Sequence, residues 1–207
     1  MEEVRVGPAT VAVLAVVRGL PSDGERVAAS IGSERPDVVA LTVSPEELET
    51  LRTYDGGNLE PDSTEDEVYV AGLSAWEEPV MPPPCFTAAV REAAARRVPL
   101  EALDLDEEAY ADAYTTHVST MELILQGRLE KRLLKKHFDV ASPAEFAISW
   151  DAEINRTAGF ARLQREREKF IASRLREVAQ GHARVLAVIE VERVKGVLAA
   201  LAGQRPT

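Results

Sequence analysis

The segment VLAVIEVERVKGVL, residues 185–198, carries the pattern that decides the fold. Residues 185–189 form an apolar, largely β-branched run, which is typical of a strand buried on both faces. We predict a strand over 183–191 and a following helix that ends at about Ala202. The charged residues Glu190, Glu192 and Arg193 stand where this strand ends, and open α/β sheets bind ligands at that end of their strands. The segment therefore indicates an α/β fold and marks a candidate site.

Two more apolar runs lie in the first quarter of the chain. TVAVLAVV at 10–17 and VVALTV at 38–43 each predict a buried strand. Between them, residues 22–25 have the form of a capping box, which predicts a helix through about Glu34. Strand, helix and strand in this order form a βαβ unit, so we expect parallel pairing with a right-handed crossover.

The patterns between 44 and 105 predict shorter elements. Ser44, Pro45 and Glu47 have the form of a capped helix start. The sequence also predicts a strand at 68–73, a helix at 86–97 and a strand near the sheet edge at 98–105. The Gly-, Pro- and acid-rich segment 55–66 and the proline-rich segment 79–84 predict flexible loops.

The second half of the chain is predominantly helical in pattern. Residues 106–180 predict helices with a break at 139–142 and a new start at Ser142, and Gly181 has the position of a helix C-cap. We therefore predict one α/β domain over 1–207. Its central sheet is expected to be mixed, mainly parallel and flanked by helices, with a long helical insertion before the last strand.

The composition excludes several classes of protein. A net charge of -11 and a pI near 4.9 argue against nonspecific binding to nucleic acid or to anionic membranes. Cys85 is the only cysteine, so we expect no intrachain disulfide and no cysteine metal cluster. The start of the chain lacks the pattern of a signal peptide, and no run of about 18 apolar residues occurs, so we expect a cytoplasmic protein.

Four segments share a pattern with a known family. PDVVAL at 36–41 matches a family strand, 86–97 an Ala-rich helix, 165–172 a segment built around Glu-Arg, and 185–197 the terminal strand with its trailing helix. In these segments the chain resembles the TraB superfamily. That superfamily includes the pheromone-shutdown proteins, the Tiki metalloproteases and, more remotely, the ChaN haem-binding and erythromycin-esterase families. The resemblance implies a TraB-like α/β domain over most of the chain and, by analogy, a dimer.

The positions that carry the family's chemistry are occupied by other residues. An ungapped count puts Arg18 on the histidine of a GTAH strand end, Thr42 on the family glutamate and Glu47 on its arginine. The terminal GxGH motif falls on 190–193, so Arg193 stands at the second histidine. In Tiki-like members the histidines and the glutamate are proposed to form the catalytic or metal site. Arginine stays protonated and threonine lacks a carboxylate, so neither replaces a metal ligand or a general base.

Two interpretations of the altered positions remain open. In one, Arg18 and Arg193 hold a carboxylate or a phosphate through bidentate hydrogen bonds. In the other, which we favour, they pair with Glu47, Glu190 or Glu192 in a structural ion network, because acids occur in the same segments. Neither interpretation assigns a catalytic residue, a metal ion or a cofactor.

Glu166 and Arg167 retain part of the family motif. They either line the same cleft or lie on an exposed helix face with pairs of charged residues. The complete set of candidate ligand-binding residues is Arg18, Thr42, Glu47, Glu166, Arg167, Glu190, Glu192 and Arg193.

Other residues capable of chemistry lack a recognisable motif. His117, His137 and His182 are not spaced as HExxH or as an i,i+4 pair, so we interpret them as ordinary helix or loop residues. Cys85 has no activating histidine in its sequence neighbourhood and is expected to be inert. The chain has no GxSxG, Walker or GxGxxG motif, so no nucleophile elbow or nucleotide site is expected.

The segment GRLEKRLLKKH, residues 127–137, is basic within an acidic protein. Leu129, Leu133 and Leu134 give it an apolar stripe. Such a helix either docks an acidic partner or a second copy of the chain, or covers the core with a solvated outer face.

The sequence thus supports two hypotheses of function. The main one is a non-catalytic TraB-like domain that binds a protein partner or a small anionic ligand. The alternative is a hydrolase, of metallohydrolase or protease type, whose site is rebuilt around Glu47, Glu190, Glu192 and Arg193.

Overall fold

The strands form one mixed sheet in the computed structural model, which describes residues 1–57, 64–133 and 136–203. Its order is β1-β2-β5-β3-β4, with β1 antiparallel to β2 and the other neighbours parallel. The sheet, its flanking helices and the helical excursion before the last strand confirm the predicted α/β class. The strands are β1 (Glu2–Val6), β2 (Ala9–Val16), β3 (Val38–Leu41), β4 (Leu100–Ala102) and β5 (Arg184–Glu190).

A simple βαβ unit predicts that β2 pairs with β3, but the two strands are not neighbours in the sheet. The two strands are parallel, but β5 lies between them and pairs with both. Residues 185–190 are all buried, whereas β4 is only partly buried, so the most apolar strand takes the centre of the sheet. β4 lies at the sheet edge, as predicted.

β1 is an element that the sequence patterns did not reveal. It pairs with β2 through a turn in which Gly7 has φ 57°, a conformation that glycine adopts without strain. Its sequence EEVRV is largely exposed and carries three charges, so it lacks the apolar run that marks the inner strands.

The helices cover both faces of the sheet and one end of it. In chain order they are α1 (Pro21–Glu34), α2 (Pro45–Thr53), α3 (Thr64–Leu73), α4 (Pro84–Arg96), α5 (Glu107–His117), α6 (Thr120–Leu133), α7 (Pro143–Ile154), α8 (Ala158–Gly181) and α9 (Val191–Leu201). None of these described helices has both the length and the apolar character needed to cross a membrane.

Alternate side chains of the strands enter two separate cores. Val11 and Val13 of β2 face α8 and α9, where Ile171 and Leu175 pack against them. The intervening Ala12, Leu14 and Val16 face α1, α2 and α4. This two-residue period produces a three-layer α/β/α arrangement.

The capping box predicted at 22–25 does not cap the start of α1. The helix begins at Pro21, and no side chain of its own N-cap residue Leu20 caps it. Instead, the Ser22 amide and hydroxyl donate to the carboxylate of Glu77, which is 55 positions away and could not be recognised as a cap from local sequence. The box at Ser44 and Glu47 is confirmed, with reciprocal bonds of 3.1 and 2.8 Å.

The strand predicted at 68–73 is wrong, because these residues belong to α3. Tyr69 and Leu73 are four positions apart and share one helix face, which packs with Phe146 and Trp150 of α7. Their burial in this helical cluster outweighs the strand propensity of a β-branched segment.

The two predicted loops have different outcomes. In the loop predicted at 55–66, residues 58–63 lie outside the described residues and 64–66 are helical. The segment 79–83 is a non-helical connection.

The helical excursion is confirmed and consists of α5 to α8. Ser142 caps α7 as predicted, accepting from the Glu145 amide at 3.2 Å. Gly181 is the last residue of α8, and His182 takes the C-cap position. α3, α6 and α7 form an aromatic cluster with Val17 and Leu20, which follow β2. This cluster therefore lies over the carboxyl end of β2.

Candidate functional site

A cavity of about 190 Å³ lies at the carboxyl ends of β2 and β5. Its wall includes five of the eight candidate residues, namely Arg18, Arg167, Glu190, Glu192 and Arg193. Arg18 follows the end of β2, Glu190 ends β5, and the other three project from α8 and α9. Parallel strands end together at this edge of the sheet, which is why residues far apart in sequence meet here.

Arg18 lies over the ring of Tyr69, with Cζ 5.3 Å from the ring centroid. Its Nε is buried and has no hydrogen-bond partner, and no carboxylate of the described residues lies within ion-pair distance of its guanidinium. Burial acts to lower the pKa of Arg18, but the fields of Glu192 and Glu190 outweigh it, so the pKa is raised. The guanidinium is therefore charged and has an unused donor.

Glu190 and Glu192 supply the carboxyl groups of the cavity. Glu190 is 7% exposed, and its Oε2 accepts a hydrogen bond from the Thr42 hydroxyl at the end of β3. Burial raises the pKa of both carboxyls, that of Glu192 to about 7. The Oε2 atom of Glu192 is buried and has no hydrogen-bond partner in the part of the chain that the structure describes. Two carboxyl groups thus share one cavity with Arg18.

Arg167 reaches the cavity from α8 but is already paired. Its Nη2 and Nε bind the two oxygens of Asp104, the latter at 3.3 Å, and its Nη1 donates to Gln164 at 3.0 Å. Burial opposes the charge, but Asp104 outweighs burial and raises the pKa of Arg167. This arginine is held in place by a bidentate ion pair.

Arg193 is also paired, although with acids that the sequence did not indicate. Its side chain is 5% exposed, and it contacts Asp151 of α7 through Nη2 and Glu168 of α8 through Nη1, at 3.2 Å. Burial and the neighbouring Arg18 lower the pKa of Arg193 to about 10, and burial raises the pKa of Glu168 to about 7. Arg193 therefore joins three helices, and its expected pairing with Glu47, Glu190 or Glu192 is not seen.

Glu47 and Glu166 lie outside the cavity. Glu47 caps α2 and borders a separate surface cleft with Asp104 and Arg167. Glu166 binds Lys169 at 2.8 Å on the outer face of α8. Thr42 is buried beneath the cavity, where its hydroxyl contacts Glu190.

Gln126 and Asp151 also line the cavity, although the sequence patterns did not indicate them as site residues. Gln126 is 7% exposed, and its buried Oε1 has no hydrogen-bond partner within the described ranges. Each is a polar residue three positions before a buried apolar residue of its helix, Gln126 before Leu129 and Asp151 before Ile154. Such an interruption of an apolar face is the signal that could have identified them.

The remaining reactive residues lie away from the cavity wall. Cys85 is fully buried in the core between the sheet and α4, and burial raises the pKa of its thiol. His117 borders an outer cleft with Glu166. Among the residues that the structure describes, no group of three or more His, Cys, Asp or Glu side chains is arranged to hold a metal ion.

The chain matches no protein-family model and no curated protein. The function is therefore inferred from the chemistry of the cavity.

Proposed function

We propose that the protein binds a small anionic ligand, a carboxylate or a phosphate, through Arg18. The observation that carries this proposal is the buried Nε of Arg18, which lacks a partner in the cavity wall. An unsatisfied buried donor costs about 1–3 kcal/mol, and a ligand oxygen would remove that cost. The carboxyl ends of parallel strands are also the usual ligand position in α/β sheets.

The other two arginines of the wall support this choice by contrast. Arg167 is bound by Asp104, and Arg193 by Asp151 and Glu168. Their positive charge is compensated within the protein, so they position the wall. Among the arginines of the described cavity wall, Arg18 is the one without an ion pair to a carboxylate.

The resemblance to the TraB superfamily supports binding rather than family-type catalysis. On that alignment Arg18 and Arg193 replace two histidines, and Thr42 replaces a glutamate. Guanidinium groups bind oxyanions well but do not ligate metal ions or accept protons near neutral pH. We therefore propose that the protein is a non-catalytic, TraB-like domain in the cytoplasm.

Thermal unfolding with sodium phosphate and sodium acetate, at constant ionic strength set by chloride, tests the anion site. The free energy of unfolding should rise by about 2.7 kcal/mol at a hundred times the dissociation constant. We expect this gain in the wild type and in Arg52→Gln, an exposed arginine paired with Glu49. We expect its loss in Arg18→Gln. An equal gain in Arg18→Gln, with near-UV circular dichroism unchanged, would refute the site.

A hydrolase is the second candidate, favoured by one observation. Glu190 and Glu192 line the same cavity, and burial raises the pKa of Glu192 to about 7. A carboxylate in this range can take a proton from water near neutral pH, while a protonated neighbour donates one to a leaving group. Glu47, which the sequence placed in this site, borders a different cleft.

Hydrolysis of p-nitrophenyl acetate and p-nitrophenyl phosphate separates the two candidates. A hydrolase should show turnover that disappears in Glu192→Gln while anion binding is retained. Wild-type turnover equal to that of Glu192→Gln would leave the binding function alone.

We also propose that α6 carries a self-association surface. Met121, Ile124 and Leu125 are 64%, 52% and 43% exposed, and the exposed Arg128 and Lys131 continue the same helix face. The apolar stripe at Leu129 and Leu133 faces the core instead, and Leu134 lies outside the described residues.

A second copy of the chain is the partner that the charges favour. The neighbouring helix α5 exposes the acids Glu107, Glu108 and Asp112, beside the partly exposed ring of Tyr110. In a dimer with twofold symmetry, the basic and apolar face of α6 in each copy can pack against the acidic face of α5 in the other copy.

A further inference from the structure

We infer that the ligand is a small zwitterion of the amino-acid type, with a carboxylate bound by Arg18 and an ammonium group bound by the oxygen atoms that face it. This inference rests on the anion site proposed above and names the class of ligand. Three features of the cavity carry it: its unsatisfied acceptors, its charge balance and its size.

The cavity offers unused acceptors as well as an unused donor. Oε2 of Glu192 and Oε1 of Gln126 are buried and have no hydrogen-bond partner among the described residues, and both residues line the wall with Arg18. Glu190 adds a second carboxyl group to the same wall. An ammonium group has three N–H donors and no acceptor, so it is the ligand group that matches several converging oxygens.

The charges of the wall favour a ligand without net charge. Asp104 pairs with Arg167, and both Asp151 and Glu168 pair with Arg193, so neither arginine leaves an uncompensated positive charge. Arg18 therefore faces the two carboxyl groups of Glu190 and Glu192, and these three groups carry net negative charge when both acids are ionised. A simple anion would add to that charge in a buried space, whereas a zwitterion adds none and brings a cation to the acids.

The size of the cavity favours a small ligand. Its volume is about 190 Å³. Pockets for drug-sized ligands are about 300–1,000 Å³. Glycine or β-alanine is of suitable size, and a nucleotide is not.

Isothermal titration with two matched sets of probes tests the inference. One set is glycine, acetate and methylamine; the other is β-alanine, propionate and propylamine. In at least one set we expect the zwitterion to bind at least tenfold more tightly than either single-charge analogue. Glu192→Gln should weaken binding of the zwitterion at least tenfold, and Gln126→Leu should weaken it less. Glu46→Gln, an exposed acid on α2, is the control and should bind like wild type.

The outcomes distinguish failure of the inference from failure of the anion site. If acetate or propionate binds as tightly as its zwitterion, and Arg18→Gln abolishes both, the anion site stands and the zwitterion is ruled out. If phosphate stabilises the protein through Arg18 but neither probe set binds, the zwitterion is again ruled out. If no probe and no inorganic anion depends on Arg18, both proposals fail.

The proton balance gives a second readout. Propionate added beside Glu190 and Glu192 should be accompanied by proton uptake near pH 7, whereas β-alanine should bind without uptake. Titrations in phosphate-free buffers of low and high ionisation enthalpy measure this difference. Equal uptake for both ligands would contradict an ammonium contact with the acids.

Discussion

The charge state of the residues in the cavity depends on an excess of acids over the one unpaired base of the described wall, Arg18. Two carboxyl groups and one guanidinium line the same cavity, and burial makes the acids retain protons to a higher pH than in solution. Burial raises the pKa of Glu190 and of Glu192, the latter from 4.5 to about 7. The wall therefore changes charge close to neutral pH, where a ligand of suitable charge can select one state.

The stability of the fold should fall between about pH 5 and pH 7. Glu192 and Glu168 both have a pKa raised to about 7, whereas the unfolded chain titrates near 4.5. The folded state binds more protons in this window, so its free energy of unfolding decreases as the pH rises and levels off above 7. Urea unfolding at pH 5, 6 and 7 measures the slope, which Glu192→Gln should reduce.

The groups that face Glu192 are Glu190, Arg18 and Arg167, so the slope belongs to this set and not to one acid alone. Glu177→Gln on the exposed face of α8 is the control and should keep the wild-type slope. An undiminished slope in Glu192→Gln would show that this carboxyl group does not hold a proton in the folded state.

Among the helices and strands, close helix packing depends on a missing side chain. α1 and α4 cross over one face of the sheet, and Gly24 lies at their contact. A Cβ atom on Gly24 would lie 2.9 Å from Cβ and 3.0 Å from the carbonyl oxygen of Pro84. Backbone cannot yield as a flexible side chain can, so this glycine sets the distance between the helices.

Gly24→Ala should destabilise the protein despite the higher helix propensity of alanine. Overpacking costs about 1–3 kcal/mol, whereas alanine gains at most about 1 kcal/mol in a helix. Gly127→Ala is the matched variant, since nothing lies within 4 Å of its added Cβ on the exposed face of α6. It should stabilise by about 0.5–1 kcal/mol. Chemical denaturation measures both; a stabilised Gly24→Ala would contradict the close packing.

The whole molecule is acidic, but the exposed face of α6 is apolar in the first half of the helix and basic in the second half. If two copies associate through α6 and α5, the wild type should have the mass of a dimer in size-exclusion chromatography with light scattering. Ile124→Glu should shift it to a monomer, because it puts a charge among exposed apolar residues that the interface would bury. Ala29→Glu, at an exposed site on α1, should leave the mass unchanged.

High salt should also weaken the dimer if Arg128 and Lys131 meet acids of the second copy, because salt screens exposed ion pairs. A monomeric wild type at concentrations up to the millimolar range would exclude this interface.

Most of the fold could be predicted because it follows from local patterns. The apolar runs at 10–17 and 185–189 are inner strands, and the capping residues at Ser44 and Ser142 begin helices. The misassigned elements depend on distant partners. Glu77 caps α1 from 55 positions away, and Tyr69 is helical because it packs on α7.

The candidate site was only partly predictable. Five of eight residues meet in one cavity because they stand at or near strand ends or on the helices that pack there. Glu47 and Glu166 do not, since each is engaged locally by a helix cap or an i,i+3 pair. Asp151 and Gln126 were missed, because a polar interruption of an apolar helix face indicates burial but not the cavity or the partners that the residue meets.

By itself, the sequence determined the α/β class, the long helical excursion and the charges at the end of the last strand, because hydrophobic period and capping act over a few residues. Only the tertiary structure decided the strand order, the partners of each arginine and which donor stays unsatisfied. Those properties depend on distances between segments up to about 150 positions apart, such as Thr42 and Glu190. Burial converts those distances into charge states, and burial arises only when the layers pack together.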